Sequence, residues 1–335
     1  MSDSIQHECG IALIRLKKPI QYYIDNYGTA FYGVNKLHLL MEKQHNRGQD
    51  GAGVANIKLG MKPGERYISR VRSVQKAPIQ DIFDQINSKF KALYDVNPDS
   101  IQDVDFLKRN VGFTGELFLG HLRYGTFGRN SKESCHPFLR QNNWITRNLV
   151  VAGNFNLTNV DELFEVLLKV GQHPKEKSDT VTVLEKIGHF LDVENDELFD
   201  KYKAEGFSNK EVYAKIADEI GIEKILKKAS EDWDGGYTMA GLLGHGDAFV
   251  LRDPSGIRPA FWFENDEVCV VASERPTLQT AFDLQVEDVK ELNPGHALII
   301  KKNGEVKEEP INGPLEPRKC SFERIYFSRG SDKDI

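Results

Sequence analysis

Cys9-Gly10-Ile11-Ala12-Leu13-Ile14-Arg15-Leu16 is short, apolar and rich in β-formers, and it predicts a strand that begins almost at a cysteine. Working outward, Leu37, Leu39, Leu40 and Met41 suit a helix that ends before Gln44. Gly51 to Ile57 (GAGVANI), Phe118 to Tyr124 (FLGHLRY) and Leu149 to Ala152 (LVVA) read as further strands. Helices are expected over 79–94, 160–170 and 180–191, with Asn159 and Ser178 as capping residues of the last two, and residues 195–231 are charged and helix-prone. From Gly235 the pattern changes to short strands joined by tight turns: YTMAGLL, then Gly244-His245-Gly246-Asp247, AFVLRD, and later HALIIKK with Asn303-Gly304. Strands at both ends with helices between them predict an α+β fold, in which helices cover the outer faces of antiparallel sheets.

The composition narrows the function. With 335 residues, 40% apolar side chains and a mean hydropathy of -0.46, the chain has enough apolar material for at least one large core. A net charge of -6 gives no reason to expect a nucleic-acid partner, and the doublets Lys17-Lys18 and Lys227-Lys228 read as solvated surface charge. No apolar run approaches the roughly twenty residues that span a bilayer. Residues 1–8 (MSDSIQHE) lack the apolar middle of a secretory signal, so no membrane association and a cytoplasmic location are expected. Cys9, Cys135, Cys269 and Cys320 are far apart and form no C-x-x-C pair, which argues against a zinc ribbon or a disulfide framework. Glu308 to Arg318 (EEPINGPLEPR) is Pro-rich and charged and reads as a domain boundary, leaving residues 319–335 too short to fold alone.

Cys9 is the candidate for chemistry. It follows Glu8 directly, and removal of residues 1–8 would free its α-amino group, whose ordinary pKa is about 7.7 to 8.0. Such an amine can take the thiol proton, so one residue would supply nucleophile and base, with Gly10 leaving room for a substrate.

Several segments, in order along the chain, resemble the glutamine amidotransferases of the N-terminal-nucleophile hydrolase class. They are Glu8-Cys9-Gly10-Ile11, residues 44–50 (QHNRGQD), 120–126 (GHLRYGT), 156–159 (NLTN) and Ser178-Asp179. Residues 252–259 (RDPSGIRP), 272–274 (ASE) and 320–329 (CSFERIYFSR) are similar to the phosphoribosylpyrophosphate branch, the amidophosphoribosyltransferases of purine synthesis. The resemblance implies a four-layer αββα sandwich of two antiparallel sheets flanked by helices. It divides the chain into a leader (1–8), a glutamine amidotransferase type 2 domain (9–307), and a linker with the start of a phosphoribosyltransferase domain (308–335).

The resemblance also implies roles. Arg123 would hold the α-carboxylate of L-glutamine by two parallel hydrogen bonds. Asp179 would pair with the α-ammonium group, although the helix dipole alone favours an acid in a first turn. Asn154 and the amide of Phe155 would bind the oxyanion of the tetrahedral intermediate, while Arg47 and Thr126 would complete the pocket. Phe155 stands where the family usually has glycine, and Asn46 is one residue extra in a segment usually written QHRGQD. His121 and His136 are read as structural, because a nucleophile with its own amine needs no histidine. Residues 56–115 and 194–231 are longer than the corresponding family regions and carry no chemical motif.

The implied reaction is hydrolysis of glutamine through a Cys9 thioester, with ammonia passed to a phosphoribosyltransferase domain or subunit in a homo-oligomer. No metal or cofactor is expected in this chain. Mg2+ and an iron–sulfur cluster would belong to a full-length enzyme, and Cys320 alone cannot hold a cluster. The alternatives are the glutaminase subunit of another amidotransferase and an inactive scaffold of the same fold, to which an uncut leader would point.

Overall fold

The structure, a computed structural model, describes residues 9–125, 131–321, 323 and 327. Its strands are β1 (Gly10–Leu16), β2 (Gly51–Ile57), β3 (Ile68–Ser73), β4 (Leu117–Arg123), β5 (Phe138–Arg140), β6 (Leu149–Leu157), β7 (Gly235–Leu243), β8 (Ala248–Arg252), β9 (Phe261–Glu264), β10 (Val268–Ala272), β11 (Lys290–Glu291), β12 (His296–Ile300) and β13 (Val306–Pro310). The helices are α1 (Ile20–Tyr27), α2 (Tyr32–Lys43), α3 (Pro78–Val96), α4 (Val104–Asn110), α5 (Val160–Lys169), α6 (Asp179–Ala204), α7 (Asn209–Glu219), α8 (Ile222–Ser230) and α9 (Arg275–Phe282).

The strands form two sheets, ordered β11-β9-β10-β1-β4-β2-β3 and β13-β12-β8-β7-β6-β5, with antiparallel pairing throughout. Strand alternation assigns three apolar layers. Ile11 and Leu13 of β1 meet Val150, Ala152, Ala240 and Leu242 between the sheets. Ala12, Ile14 and Leu16 point the other way, onto Leu37, Leu40 and Met41 of α2 and Phe83 of α3. On the far side, Leu149, Val151 and Met239 pack against Leu163 of α5, Val183, Ile187 and Leu191 of α6, and Leu226 of α8. The result is a helix–sheet–sheet–helix sandwich. Because β1 is buried along its whole length, its sequence reads as a continuous apolar run instead of alternating.

Three expectations need correction. Asn159 does not cap α5 through its side chain; its Nδ2 donates to Asp232 O at 2.7 Å and its Oδ1 accepts from Asp234 N at 3.2 Å, tying the start of α5 to the loop before β7. Helix α6 does not stop at 191, because Asn195 and Tyr202 continue its buried face to Ala204. The connector expected from Glu308 starts later, since Glu308, Glu309 and Pro310 complete β13 and Ile311 is buried in the outer core. The two long segments are built structure: 56–115 supplies β3, α3 and α4, and 194–231 supplies the end of α6 with α7 and α8.

Candidate active site

Cys9 lies at the head of β1, where Gly10 pairs with Leu122 of β4. β4 thereby delivers its last residue, Arg123, beside the thiol, and the N–H of Tyr124 donates to the sulfur. Burial pushes the Cys9 thiol up to about 11; the Tyr124 N–H, Arg123 and Arg47 oppose that shift, and Asp179 adds to it. Cys9, Arg123, Arg47 and Asp179 are therefore gathered within electrostatic reach of one another. Thr126 and residues 1–8 lie outside the described residues.

The turn before β2 shapes this corner. Gln44 donates to Ile11 O at 2.9 Å, and the 3-10 turn His45–Arg47, which contains the extra residue Asn46, directs Arg47 inward. A Cβ on Gly48 would come within 2.6 Å of the Arg123 backbone, so only glycine lets the turn approach the end of β4. The space above Gly10 is not left for substrate: a Cβ there would meet the Arg47 side chain at 3.2 Å. Asp50 then accepts from Gly125 N at 2.8 Å, fixing the chain just past Arg123. The Arg123 guanidinium also hydrogen-bonds the buried Cys135 thiol.

Arg47 is enclosed by two carboxylates. Its Nε donates to Glu274 at 2.8 Å and its terminal nitrogens to Glu323 at 3.2 and 2.7 Å. The Phe327 ring stacks 4.5 Å from the guanidinium. Glu323 also accepts from Nδ2 of Asn154 at 3.4 Å and lies 3.9 Å from Arg258. Arg47 is thus a structural keystone, and Glu274 and Glu323, which sequence reasoning did not single out, are its partners.

Asn154 and Phe155 follow each other on β6, opposite Thr238 and Tyr237 of β7. Phe155 keeps ordinary strand geometry; among the described non-glycine residues only Phe113 and Asp283 have positive φ. Its N–H points the same way as that of Gly153, away from β7, by strand alternation. Gly153 N donates to Nδ1 of His136 at 3.1 Å, so the proton of neutral His136 sits on Nε2, which donates to Thr180 Oγ1 at 2.9 Å. Thr180 in turn donates to Oδ1 of Asp179 at 3.4 Å. His121 stacks on His136 at 4.2 Å and donates through Nε2 to Gly153 O at 3.1 Å. Burial drives both imidazoles down, His121 to about 3, so both are neutral. The pair joins β4, β6 and the start of α6.

Asp179 opens α6, where Ser178 Oγ accepts from Val181 N at 3.3 Å. Its carboxylate accepts from Thr180 N at 2.7 Å, yet burial dominates and raises its pKa. A cation beside it would reverse that shift. The 252–259 motif is a self-stitched loop: the buried Asp253 accepts from the amides of Ser255, Ile257 and Arg258 at 3.1, 2.9 and 2.9 Å. Among the described residues no cluster of three or more His, Cys, Asp or Glu side chains is placed to hold a metal ion, and no helix is long and apolar enough to cross a membrane.

Two facing antiparallel sheets between helical layers, with a cysteine at the head of a central strand, define an α+β fold of the N-terminal-nucleophile type. No family model matches the chain. Its relatives are amidophosphoribosyltransferases: that of Pasteurella multocida is 26% identical over 327 residues, 96% of this chain and 52% of its own length, and that of Archaeoglobus fulgidus is 30% identical over 236 residues, 66% of this chain and 44% of its own. The solved Bacillus subtilis glutamine phosphoribosylpyrophosphate amidotransferase, complexed with ADP and GMP, matches with a TM-score of 0.59 and 25% identity, covering 97% of this chain and 54% of that one. In sequence and fold the chain is thus similar to the N-terminal part of these enzymes, and it spans about half the length of the curated relatives it matches.

Proposed function

We propose that this chain hydrolyses the side-chain amide of glutamine at Cys9 and supplies the ammonia to a phosphoribosyltransferase domain or subunit. The observation that carries the reading is the Cys9 thiol at the head of β1, under the Tyr124 N–H and in the fields of Arg123 and Asp179, one positive and one negative. An α-amino acid needs that pair of opposite charges.

Glutamine would bind with its α-carboxylate on Arg123 and its α-ammonium group on Asp179, presenting its amide carbon to Sγ. A thiol held near 11 is protonated at neutral pH, so a local base is required. The α-amine freed by loss of residues 1–8 takes that proton. The new S–C bond pushes the carbonyl pair onto oxygen, where Asn154 Nδ2 and Phe155 N–H would receive it. Collapse breaks the C–N bond, the leaving nitrogen takes the proton from the ammonium, and ammonia departs. Water then attacks the thioester, returning a proton to sulfur and releasing glutamate. Asn154 must turn from Glu323 to serve; its contact there is long, at 3.4 Å.

Glutamate production by the chain beginning at Cys9 tests the proposal. Loss of turnover in Cys9→Ala is expected, and full turnover in that variant would contradict it.

A further inference from the structure

The long segment 56–115 builds a second feature, which the glutamine chemistry does not use. With residues 141–143 and Asn148 it encloses a cleft of about 1200 Å3. Asn148, on its wall, lies six residues and so roughly 20 Å along an extended chain from Asn154, while Arg70, also on its wall, donates to Pro137 O at 3.2 Å.

The charge of this cleft opposes that of the molecule. Lys58, Arg66, Arg70, Lys89 and Arg109 line it against one carboxylate, Glu65, although the chain carries -6 overall. Glu65 is engaged locally, accepting from the Lys62 amide at 2.8 Å. Among the described residues none of the five cations is in an ion pair, whereas nearby Lys108 is neutralised by Glu116 at 2.5 Å. Cations in and beside the cleft repel: burial first, then neighbouring Lys108 and the cleft's Arg66, bring Lys58 down to about 8, and burial and nearby Arg72 lower Arg70. Arg66 offers a planar fork for phosphate oxygens, and Arg70 and Arg109 offer their remaining N–H groups beyond one bond each, to Pro137 O at 3.2 Å and Asp105 O at 3.0 Å. The Tyr67 hydroxyl, which accepts from Asn148 at 2.7 Å, keeps its proton to donate.

From this charge, size and hydrogen-bonding capacity we propose that the cleft is a binding site for a small polyanion bearing two or more phosphate groups. A single phosphate is too small to engage cations from β3, α3 and α4 together. The site is independent of the proposed glutamine chemistry.

Calorimetric titration of the purified chain with sodium tripolyphosphate at low ionic strength tests it. Saturable binding is expected, weakened roughly tenfold or more by Arg66→Glu or by Arg109→Glu, since each removes charge-assisted contacts. Both side chains are exposed, so folding should survive, and Lys89→Glu is a second such variant should either fail. Cys9→Ala should bind as the parent does. Absence of saturable binding, binding indifferent to these reversals, or equal binding of a polyglutamate peptide would overturn the proposal.

Discussion

Burial holds the Cys9 thiol near 11, which leaves roughly one thiolate in three thousand at pH 7.5. In a chain that keeps residues 1–8, alkylation of Cys9 by iodoacetamide should therefore climb about tenfold per pH unit from 7 to 10 without a plateau. In a chain beginning at Cys9 it should level off near the α-amine value of about 8; identical profiles for the two would contradict an amine base. Arg123→Lys replaces a fork by a point charge and is expected to raise KM for glutamine by roughly tenfold or more with kcat less affected. Asn154→Ala should instead lower kcat by about a hundredfold, and steady-state kinetics separates the two; a change in KM alone for Asn154→Ala would remove it from the oxyanion site. That Cys9, Arg123 and Asp179 would come together was legible because each stands in a local motif. Glu274 and Glu323 also stand in motifs, 272–274 and 320–329, but their pairing with Arg47 was not legible, since they act from 227 and 276 residues away and no spacing rule links positions so distant. The 252–259 motif was visible as a motif, but its content is a loop stitched by Asp253.

Among the elements, β4, β6 and the start of α6 are joined by His121 and His136. Both are buried and neutral, with pKa values lowered by burial. Their unfolded values lie near 6.5, so below that pH the unfolded chain binds protons that the folded chain refuses, and stability falls as pH falls. His121 alone contributes up to about 1.4 kcal/mol per pH unit between its unfolded value and about 3, and His136 acts in the same direction. Urea unfolding at pH 7.5, 6.0 and 5.0 should show it. Replacing His136 by Gln should make the slope shallower, and an unchanged slope would mean that His136 is not held neutral. The strands β1, β2, β4 and β6 were legible as apolar runs because both their faces are covered. β3, β5 and β11 escaped because they are short or polar, whereas β9 and β10 are apolar runs (FWFE and VCVVA) that carried a strand signal and were passed over. The cap expected of Asn159 failed because Asp232 and Asp234 offered its side chain better-placed backbone partners.

The molecule as a whole is fastened by Arg47. It joins the turn before β2 to Glu274 at the start of α9 and to Glu323 near the end of the described chain. Arg47→Met would remove the cation that Glu274 and Glu323 share, leaving Arg258 at 3.9 Å from Glu323, and a loss of about 2 kcal/mol or more is expected in denaturant unfolding. Unaltered stability would show that the network is not the fastening it resembles. The two-sheet plan was legible because strand runs lie at both ends of the sequence with helices between. The cationic cleft was not, because its charges come from β3, α3 and α4 and average away in the net charge. The proposed chemistry turns on Cys9 as a free N-terminal nucleophile. Intact mass of the purified protein before and after diazo-oxonorleucine, an electrophilic glutamine analogue, tests that most directly. A chain beginning at Cys9 that gains one adduct, absent in Cys9→Ala, is the predicted result; a chain beginning at Cys9 that gains none, or an adduct that survives Cys9→Ala, would contradict it.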